Sequence, residues 1–197
     1  MSVQRTKSGP PGKLRIVAGS LRGSRLAVPD RPGLRPTSDR VRETLFNWLM
    51  PVIEGARCLD LYAGTGALGV EAISRGAAAC TFVESDRALA RELRENLARL
   101  KVENARVIEG DALATLAGKA EPFDVVFLDP PFGGDLWDAS AERLEAHGWL
   151  SANAWIYLES PAEADLALPA NWMLHRESQA GAVRFALYRR ALADPLK

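Results

Sequence analysis

Cysteine, histidine and long apolar runs are scarce in this chain of 197 residues. Its two cysteines, Cys58 and Cys80, lie in apolar segments typical of strands, so we expect buried free thiols, not a disulfide or a metal pair. The two histidines, His147 and His175, are isolated and lack the spacing of zinc ligands. No apolar stretch reaches transmembrane length, and no signal-peptide pattern is present. These absences predict a cytoplasmic protein with no membrane partner and no metal.

The formal net charge is zero, but the charges are unevenly distributed. Residues 1–42 hold ten Lys or Arg against two acids, which leaves +8 on this segment and −8 on the rest. A basic segment of this kind is typical of an arm that binds a polyanion such as nucleic acid. The alternative is a solubilising, partly disordered tail, which we expect only for residues 1–12. Residues 14–17 and 25–28 indicate the two strands of a small basic hairpin.

Alternating strand and helix patterns follow a linker at residues 31–36. A helix capped by Ser38 or Asp39 ends before Pro51. Further strands are predicted at residues 57–61, 79–83, 105–109, 123–128 and 154–160, with helices at 67–75 and 86–100 and a final hairpin at 173–178 and 183–189. This alternation predicts an α/β fold with a doubly wound, mostly parallel sheet. We therefore expect a hairpin and linker at residues 13–36, the main domain at 37–190 and a tail at 191–197.

Residues suited to binding a nucleoside follow the first three strands of the predicted sheet. After the first strand, Gly64, Gly66 and Gly69 match the pattern G-x-G-x-x-G, which lets a ligand approach the backbone before a helix N-terminus. Glu84 ends the second strand, where it can accept hydrogen bonds from ribose hydroxyls. Asp111 follows the third strand, where it can accept one from an adenine amino group. Each acid alone is equally well explained as a helix cap or a surface acid. Together, at the carboxyl ends of parallel strands, they predict a nucleoside pocket.

Asp60, four residues before Gly64, argues against a dinucleotide cofactor. An acid at this point would repel a diphosphate but attract a cationic amino group. An adenosine cofactor that carries an amino acid fits better, so the sequence favours S-adenosylmethionine.

The fourth strand of the predicted sheet ends in Asp129, Pro130, Pro131 and Phe132. Proline fixes its own backbone and keeps the preceding residue out of the helical region, so the chain is held stiff where the acid and the ring emerge. An acceptor, a rigid carbonyl and a flat ring suit a planar molecule with an exocyclic amino group. The alternative is that the two prolines merely end the strand and Phe132 packs in the core.

Taken together, residues 60–69, Glu84, Asp111 and residues 129–132 resemble a class I S-adenosylmethionine-dependent methyltransferase that acts on amino groups. Residues 15–23 and 35–49 make the chain similar to the RsmD family of 16S ribosomal RNA guanine-N2 methyltransferases. The resemblance covers residues 13–190 and implies a seven-stranded sheet of the class I type. It also implies methyl transfer from S-adenosylmethionine to N2 of a specific guanine during ribosome maturation. The expected partner is 16S ribosomal RNA, free or in an assembling small subunit, and we expect a monomer.

The resemblance implies a role for each candidate residue. Asp129 and the Pro130 carbonyl would accept the N–H groups of the amine, Pro131 would stiffen this strand end, and Phe132 would stack on the base. Cofactor contacts are expected from Thr37, Arg40, Asp60, Tyr62, Gly64, Gly66, Glu84, Asp111 and Ala112. RNA contacts are expected from Lys13, Arg15, Arg22, Arg25, Arg35 and Arg42. Arginines on a solvent-facing helix surface remain the alternative for Arg40 and Arg42.

Three rival functions share some of these features. The residue 129–132 motif also serves adenine-N6 methylation of DNA or RNA, because adenine presents an exocyclic amine too. A protein-amide methyltransferase is less favoured, because Asn would be expected in place of Asp129. A non-catalytic RNA-binding assembly factor would predict a decayed cofactor loop, whereas Gly64, Gly66 and Gly69 are all present.

Overall fold

The structure is a computed structural model that describes residues 12–29 and 37–191. Arg35, the predicted linker at 31–36 and the predicted tails, apart from Gly12 and Ala191, lie outside the described residues.

A small hairpin and a seven-stranded sheet contain the strands of the fold. The strands are β1 (Gly12–Arg15), β2 (Arg25–Val28), β3 (Arg57–Asp60), β4 (Ala79–Glu84), β5 (Ala105–Glu109), β6 (Phe123–Leu128), β7 (Leu150–Pro161), β8 (Trp172–Ala180) and β9 (Val183–Arg190). The large sheet has the order β5-β4-β3-β6-β7-β9-β8. Its first five strands are parallel, and β9 lies antiparallel between β7 and β8. The predicted mostly parallel sheet of the class I methyltransferase type is therefore confirmed.

Helices cover both faces of this sheet, as a doubly wound fold requires. They are α1 (Asp39–Leu49), α2 (Ala67–Ser74), α3 (Arg87–Arg99), α4 (Ala112–Leu116) and α5 (Leu136–Ala146). The hairpin and helices α1, α2 and α3 share one apolar cluster, and α4 and α5 share another. Strand β6 is buried because its side chains contribute to both clusters, which explains its continuous apolar sequence. Of the two predicted caps for α1, Ser38 is the one that accepts a hydrogen bond, from the Val41 N–H.

The N-terminal hairpin, β1 paired antiparallel with β2, packs against the main domain. Its Leu14, Ile16 and Leu26 are buried in the same apolar cluster as α2 and α3. Gly19 has φ +82°, and a Cβ there would lie 1.8 Å from the Ser74 carbonyl oxygen, so the loop can approach α2 only as glycine. The predicted hairpin is confirmed, and it is anchored to the domain instead of projecting from it.

Arg42 is fully buried, so the prediction that it faces solvent or RNA is wrong. Its guanidinium donates to Asp39 and to the Arg15 carbonyl, and it lies 3.8 Å from the Glu71 carboxylate. Glu71, also buried, accepts hydrogen bonds from the Val17 N–H at 2.8 Å and the Ala18 N–H at 3.0 Å. Arg42 sits beside the apolar stripe of α1, but that side of the helix is covered by the hairpin. This Arg42–Glu71 pair joins α1, α2 and the hairpin.

Both cysteines are buried free thiols, as predicted. Cys58 and Cys80 are register neighbours on β3 and β4. Within residues 12–29 and 37–191, no helix is long and apolar enough to cross a membrane.

Candidate active site

An open cavity of about 830 Å³ lies at the carboxyl ends of the five parallel strands. Each strand contributes an acid there, as its last residue, within two residues after its end or, in β7, two residues before its end. These acids are Asp60, Glu84, Asp111, Asp129 and Glu159. Of the predicted site residues, the cavity brings together Thr37, Asp60, Tyr62, Gly64, Glu84, Asp111, Ala112, Asp129, Pro130, Pro131 and Phe132.

Two residues predicted to bind the cofactor do not line this cavity. Arg40 is exposed on α1 and is not among the residues that line the cavity. Gly66 precedes α2 with φ +78°, its N–H donates to the Ala63 carbonyl, and a Cβ there would lie 2.4 Å from a Leu93 methyl. Gly66 therefore permits the turn and the close packing of α3, while Gly64 is the glycine that faces the cavity.

Glu84 shapes the glycine loop through its carboxylate. One oxygen accepts a hydrogen bond from the Gly64 N–H and the other from the Asp86 N–H, both at 2.7 Å. Each oxygen keeps a second lone pair, because a carboxylate can accept about four hydrogen bonds. Glu84 can thus hold the loop and still accept a bond from a ligand in the cavity.

Asp60 is the last residue of β3 and is almost completely buried. Its carboxylate accepts a hydrogen bond from the Gly69 N–H at 3.0 Å. Burial raises the pKa of Asp60 from 3.8 to about 7, the Gly69 bond opposes this rise, and the Glu84 charge adds to it. A cation bound nearby would lower the free-energy cost of ionising the buried Asp60, because it favours the carboxylate form.

Asp111 and Tyr62 lie at the end of the cavity near β5 and α5. Asp111 caps α4 by accepting from the Ala114 N–H at 2.8 Å, so the cap interpretation of this residue is correct while its carboxylate also lines the cavity. The Tyr62 hydroxyl is hydrogen-bonded to the Ser140 hydroxyl at 2.7 Å, which ties the ring to α5.

The residue 129–132 motif turns out of the sheet as the prolines predict. Asp129 is half-buried and Pro130 is buried, whereas Pro131 and Phe132 are exposed. Phe132 is 45% exposed, so the alternative that it packs in the core is wrong. Its ring centroid lies 5.8 Å from that of the buried Trp137, which leaves the ring supported on one side at the cavity wall.

Glu159, near the end of β7, is an acid of the cavity that the sequence prediction missed. It is 7% exposed, and its Oε1 accepts hydrogen bonds from the Tyr157 hydroxyl at 2.6 Å and the Thr37 hydroxyl at 3.0 Å. Burial raises the pKa of Glu159. Burial also raises the pKa of Asp129 well above its usual value, and the Glu159 and Asp60 charges raise it further. The signal was present in the sequence, because Glu159 is an acid near the end of a parallel strand, as Glu84 is.

The described residues that line the cavity carry carboxyl groups but no Lys, Arg or His. The acids are Asp60, Glu84, Asp86, Asp111, Asp129 and Glu159. Such a surface repels phosphates and attracts cations. It therefore disfavours a dinucleotide and suits an adenosine bearing a sulfonium and an ammonium group.

The predicted RNA-binding residues of the hairpin are on the surface. Lys13, Arg15, Arg22 and Arg25 are all exposed. Only Arg15 among them has an acidic side chain within ion-pair distance, Asp39 at 4.0 Å, as far as the described residues show. A rigid hairpin that presents four basic side chains can contact the phosphates of a nucleic acid.

Comparison with known proteins adds to this geometry. A match to the family described as "Conserved hypothetical protein 95" spans residues 14–189. The chain is 55% identical over 180 residues to "Ribosomal RNA small subunit methyltransferase D" of Escherichia coli (strain K12), covering 91% of each chain. It is 47% identical over 182 residues to the Haemophilus influenzae protein of the same name, covering 90% of this chain and 94% of that one. The solved structure of yhhF from Escherichia coli is 53% identical, covers 92% of this chain and 100% of its own, and has a TM-score of 0.85. These matches confirm the predicted resemblance.

Proposed function

The chain belongs to the family described as "Conserved hypothetical protein 95", and from that premise we propose that it transfers a methyl group from S-adenosylmethionine to N2 of a guanine in 16S ribosomal RNA. Methyltransferase activity and the class I fold follow from the matches just described. The donor, the base and the atom modified are the proposal.

The observation that carries the proposal is the position of residues 129–132 in a cavity lined by acids. Asp129, the Pro130 carbonyl and Phe132 form one wall, and Asp60, Glu84 and Asp111 line the neighbouring strand ends. The wall fits a planar amine, and the strand ends fit an adenosine that carries positive charge. The two halves of one cavity thus suit the two substrates of an amine methylation.

The residues present fit S-adenosylmethionine, which when bound would supply an electrophilic methyl group on a sulfonium. Glu84 would accept hydrogen bonds from the ribose, and Asp111 would accept one from the adenine amine. Asp60 would face the ammonium group, and its ionisation would be favoured by that charge. The wall of the cofactor site would be completed by Tyr62, Gly64, Ala112 and Thr37. The Thr37 side chain is fixed by its hydrogen bond to Glu159.

Asp129 would prepare the amine for attack. The guanine amino nitrogen is a poor nucleophile because its lone pair is delocalised into the ring, and it gains positive charge as its bond to the methyl carbon forms. The Asp129 carboxylate and the Pro130 carbonyl would accept its two N–H groups and stabilise that charge more strongly in the transition state than in the ground state. The raised pKa of Asp129 also makes it a better acceptor for the proton that the amine loses.

Phe132 and the basic hairpin would hold the RNA. A base must leave its own stack to enter the cavity, and the exposed ring of Phe132 would replace part of that stacking. Lys13, Arg15, Arg22 and Arg25 would contact phosphates outside the cavity. The choice of ribosomal RNA as substrate is supported by the names of the relatives, and the choice of guanine-N2 by the family resemblance.

The proposal is tested by mass spectrometry of ribosomal RNA nucleosides from a strain that lacks the gene. We expect one N2-methylguanosine to be missing from 16S ribosomal RNA and to return when the gene is restored. Mapping by fragment analysis then gives the target position. A complete set of N2-methylguanosines in the deletion strain, or the loss of an N6-methyladenosine instead, would refute the proposal.

A further inference from the structure

Glu159 lies beside the proposed amine-binding residue Asp129 and is not needed for any step described so far. The last register pair of β6 and β7 is Leu128 with Leu158, so Asp129 and Glu159 are the next residues on two adjacent strands. Adjacent strands are about 4.8 Å apart, and both residues line the cavity. The charge of Glu159 raises the pKa of Asp129, which is consistent with this proximity.

The hydrogen bonds of Glu159 leave one oxygen available. Oε1 accepts from Tyr157 on its own strand and from Thr37, which precedes α1. Oε2 accepts no hydrogen bond from the residues that the structure describes. Glu159 as a whole residue is 7% exposed, and the two hydroxyls that bind Oε1 leave its carboxylate little rotational freedom. Oε2 is not among the fully buried side-chain atoms that lack a partner, so it keeps access to the cavity that Glu159 lines, and a ligand there can donate a hydrogen bond to it.

Building on the proposed function, we propose that Glu159 accepts the N1–H of the target guanine and so makes the site specific for guanine over adenine. In guanine, the N1–H lies next to the N2 amine, so a base that offers N2 to Asp129 offers N1–H to the adjacent acceptor. Adenine carries a bare N1 beside its exocyclic amine. The N1 lone pair of adenine would face the Glu159 carboxylate. Both groups are acceptors, so the hydrogen bond would be lost and the two would repel each other.

The experiment compares guanine with 2-aminopurine at the target position of 16S ribosomal RNA, free and reconstituted into small subunits. 2-Aminopurine keeps the amine on C2 but has no hydrogen on N1. The wild-type enzyme should prefer guanine in kcat/KM by on the order of 100-fold. In Glu159→Gln the side-chain amide can donate to a bare N1, so this preference should fall at least tenfold. Any difference in intrinsic reactivity between the two bases affects both enzymes equally. It therefore cancels when the preference of the wild-type enzyme is divided by the preference of Glu159→Gln.

Tyr157→Phe is the matched control. It removes a hydrogen bond to Oε1 of Glu159 but keeps the carboxylate, and Tyr157 does not line the cavity. It should retain most of the guanine preference. Thermal unfolding and calorimetry with S-adenosylmethionine establish that both variants are folded. An equal loss of activity on both RNAs in Glu159→Gln would overturn the inference, because it would give Glu159 a purely structural role.

Three other outcomes of the experiment are also decisive. If Glu159→Gln fails to fold, equilibrium binding of the wild-type protein to the two RNAs decides, and affinities within threefold of each other overturn the inference. If the wild-type protein puts no methyl group on guanine N2, the proposed function itself has failed. If it methylates guanine N2 and the preference is the same in Glu159→Gln, only the role of Glu159 has failed.

Discussion

Replacing Glu71 by Ala should both destabilise the protein and release the N-terminal hairpin. The fully buried Glu71 carboxylate accepts from the Val17 and Ala18 N–H groups and from Arg75 Nε at 2.8 Å. It also lies 3.8 Å from the Arg42 guanidinium, which is buried too. The substitution leaves two backbone donors and one buried cation without this partner.

Removal of one member of a buried ion pair costs about 3–5 kcal/mol. For a chain of this size, such a loss lowers Tm by about 6–20 °C. Urea unfolding followed by tryptophan fluorescence gives the free energy, and trypsin cleavage after Arg22 or Arg25 reports release of the hairpin. Glu71→Gln keeps one acceptor oxygen, so it should lose less stability than Glu71→Ala.

Glu95→Ala is the control for Glu71→Ala. Glu95 also pairs with an arginine four residues away on a helix, Arg91 at 3.6 Å, but both side chains are exposed. This variant should lose about 0.5 kcal/mol or less. If Glu71→Ala is as stable as Glu95→Ala and its hairpin resists trypsin as well as that of the wild-type protein, the Arg42–Glu71 pair does not anchor the hairpin.

Three other predictions concern the cavity and the hairpin. Asp129→Ala should lower kcat by about 10²–10³-fold while calorimetry gives an S-adenosylmethionine Kd within about twofold of wild type; an active variant would contradict the role of Asp129. Because the pKa of Asp60 is raised from 3.8 to about 7, its burial destabilises the fold increasingly as pH rises through this window, and a cationic cofactor should bind more tightly over the same rise. In Asp60→Asn, the contribution of Asp60 to the pH dependence of stability and of cofactor affinity should vanish. Unfolding experiments and calorimetry from pH 4 to pH 8 would measure the two dependences. Arg22→Gln and Arg25→Gln should each lower the slope of log affinity for RNA against log salt by about 0.7, whereas the exposed Arg91→Gln should leave it unchanged.

The mostly parallel sheet and most strand bounds could be predicted because the apolar runs and the strand-end acids repeat along the chain. Helices α4 and α5 were not predicted. Helix α4 has only five residues, and α5 has buried residues that include Ser140 and only a weak apolar stripe. The local sequence pattern therefore gave little indication of α4 and α5. Their packing against the sheet decides their conformation.

In the candidate site, the predictions worked where one strand end supplies one residue and failed where tertiary packing decides. Arg42 lies off the apolar stripe of α1, as a surface arginine would, and it is buried because the hairpin packs over it. Gly66 matches a cofactor motif, but the Leu93 side chain of α3 occupies its open side. Glu159 was missed because no site residue was assigned to the predicted strand at residues 154–160, although an acid near a strand end was visible there. The positions of Arg42 and Gly66 depend on contacts between segments distant in sequence, which no local pattern records.

The bond between Thr37 and Glu159 joins residues 122 positions apart. On its far side, β7 is supported by β9, where Glu159 pairs with Phe185. A growing polypeptide thus has to emerge from the ribosome almost to Arg190 before the wall that holds Glu159 can close. Pairings of such long range form late in folding. The wall of the cavity that holds Glu159 is therefore complete only once the last strands of the sheet have paired.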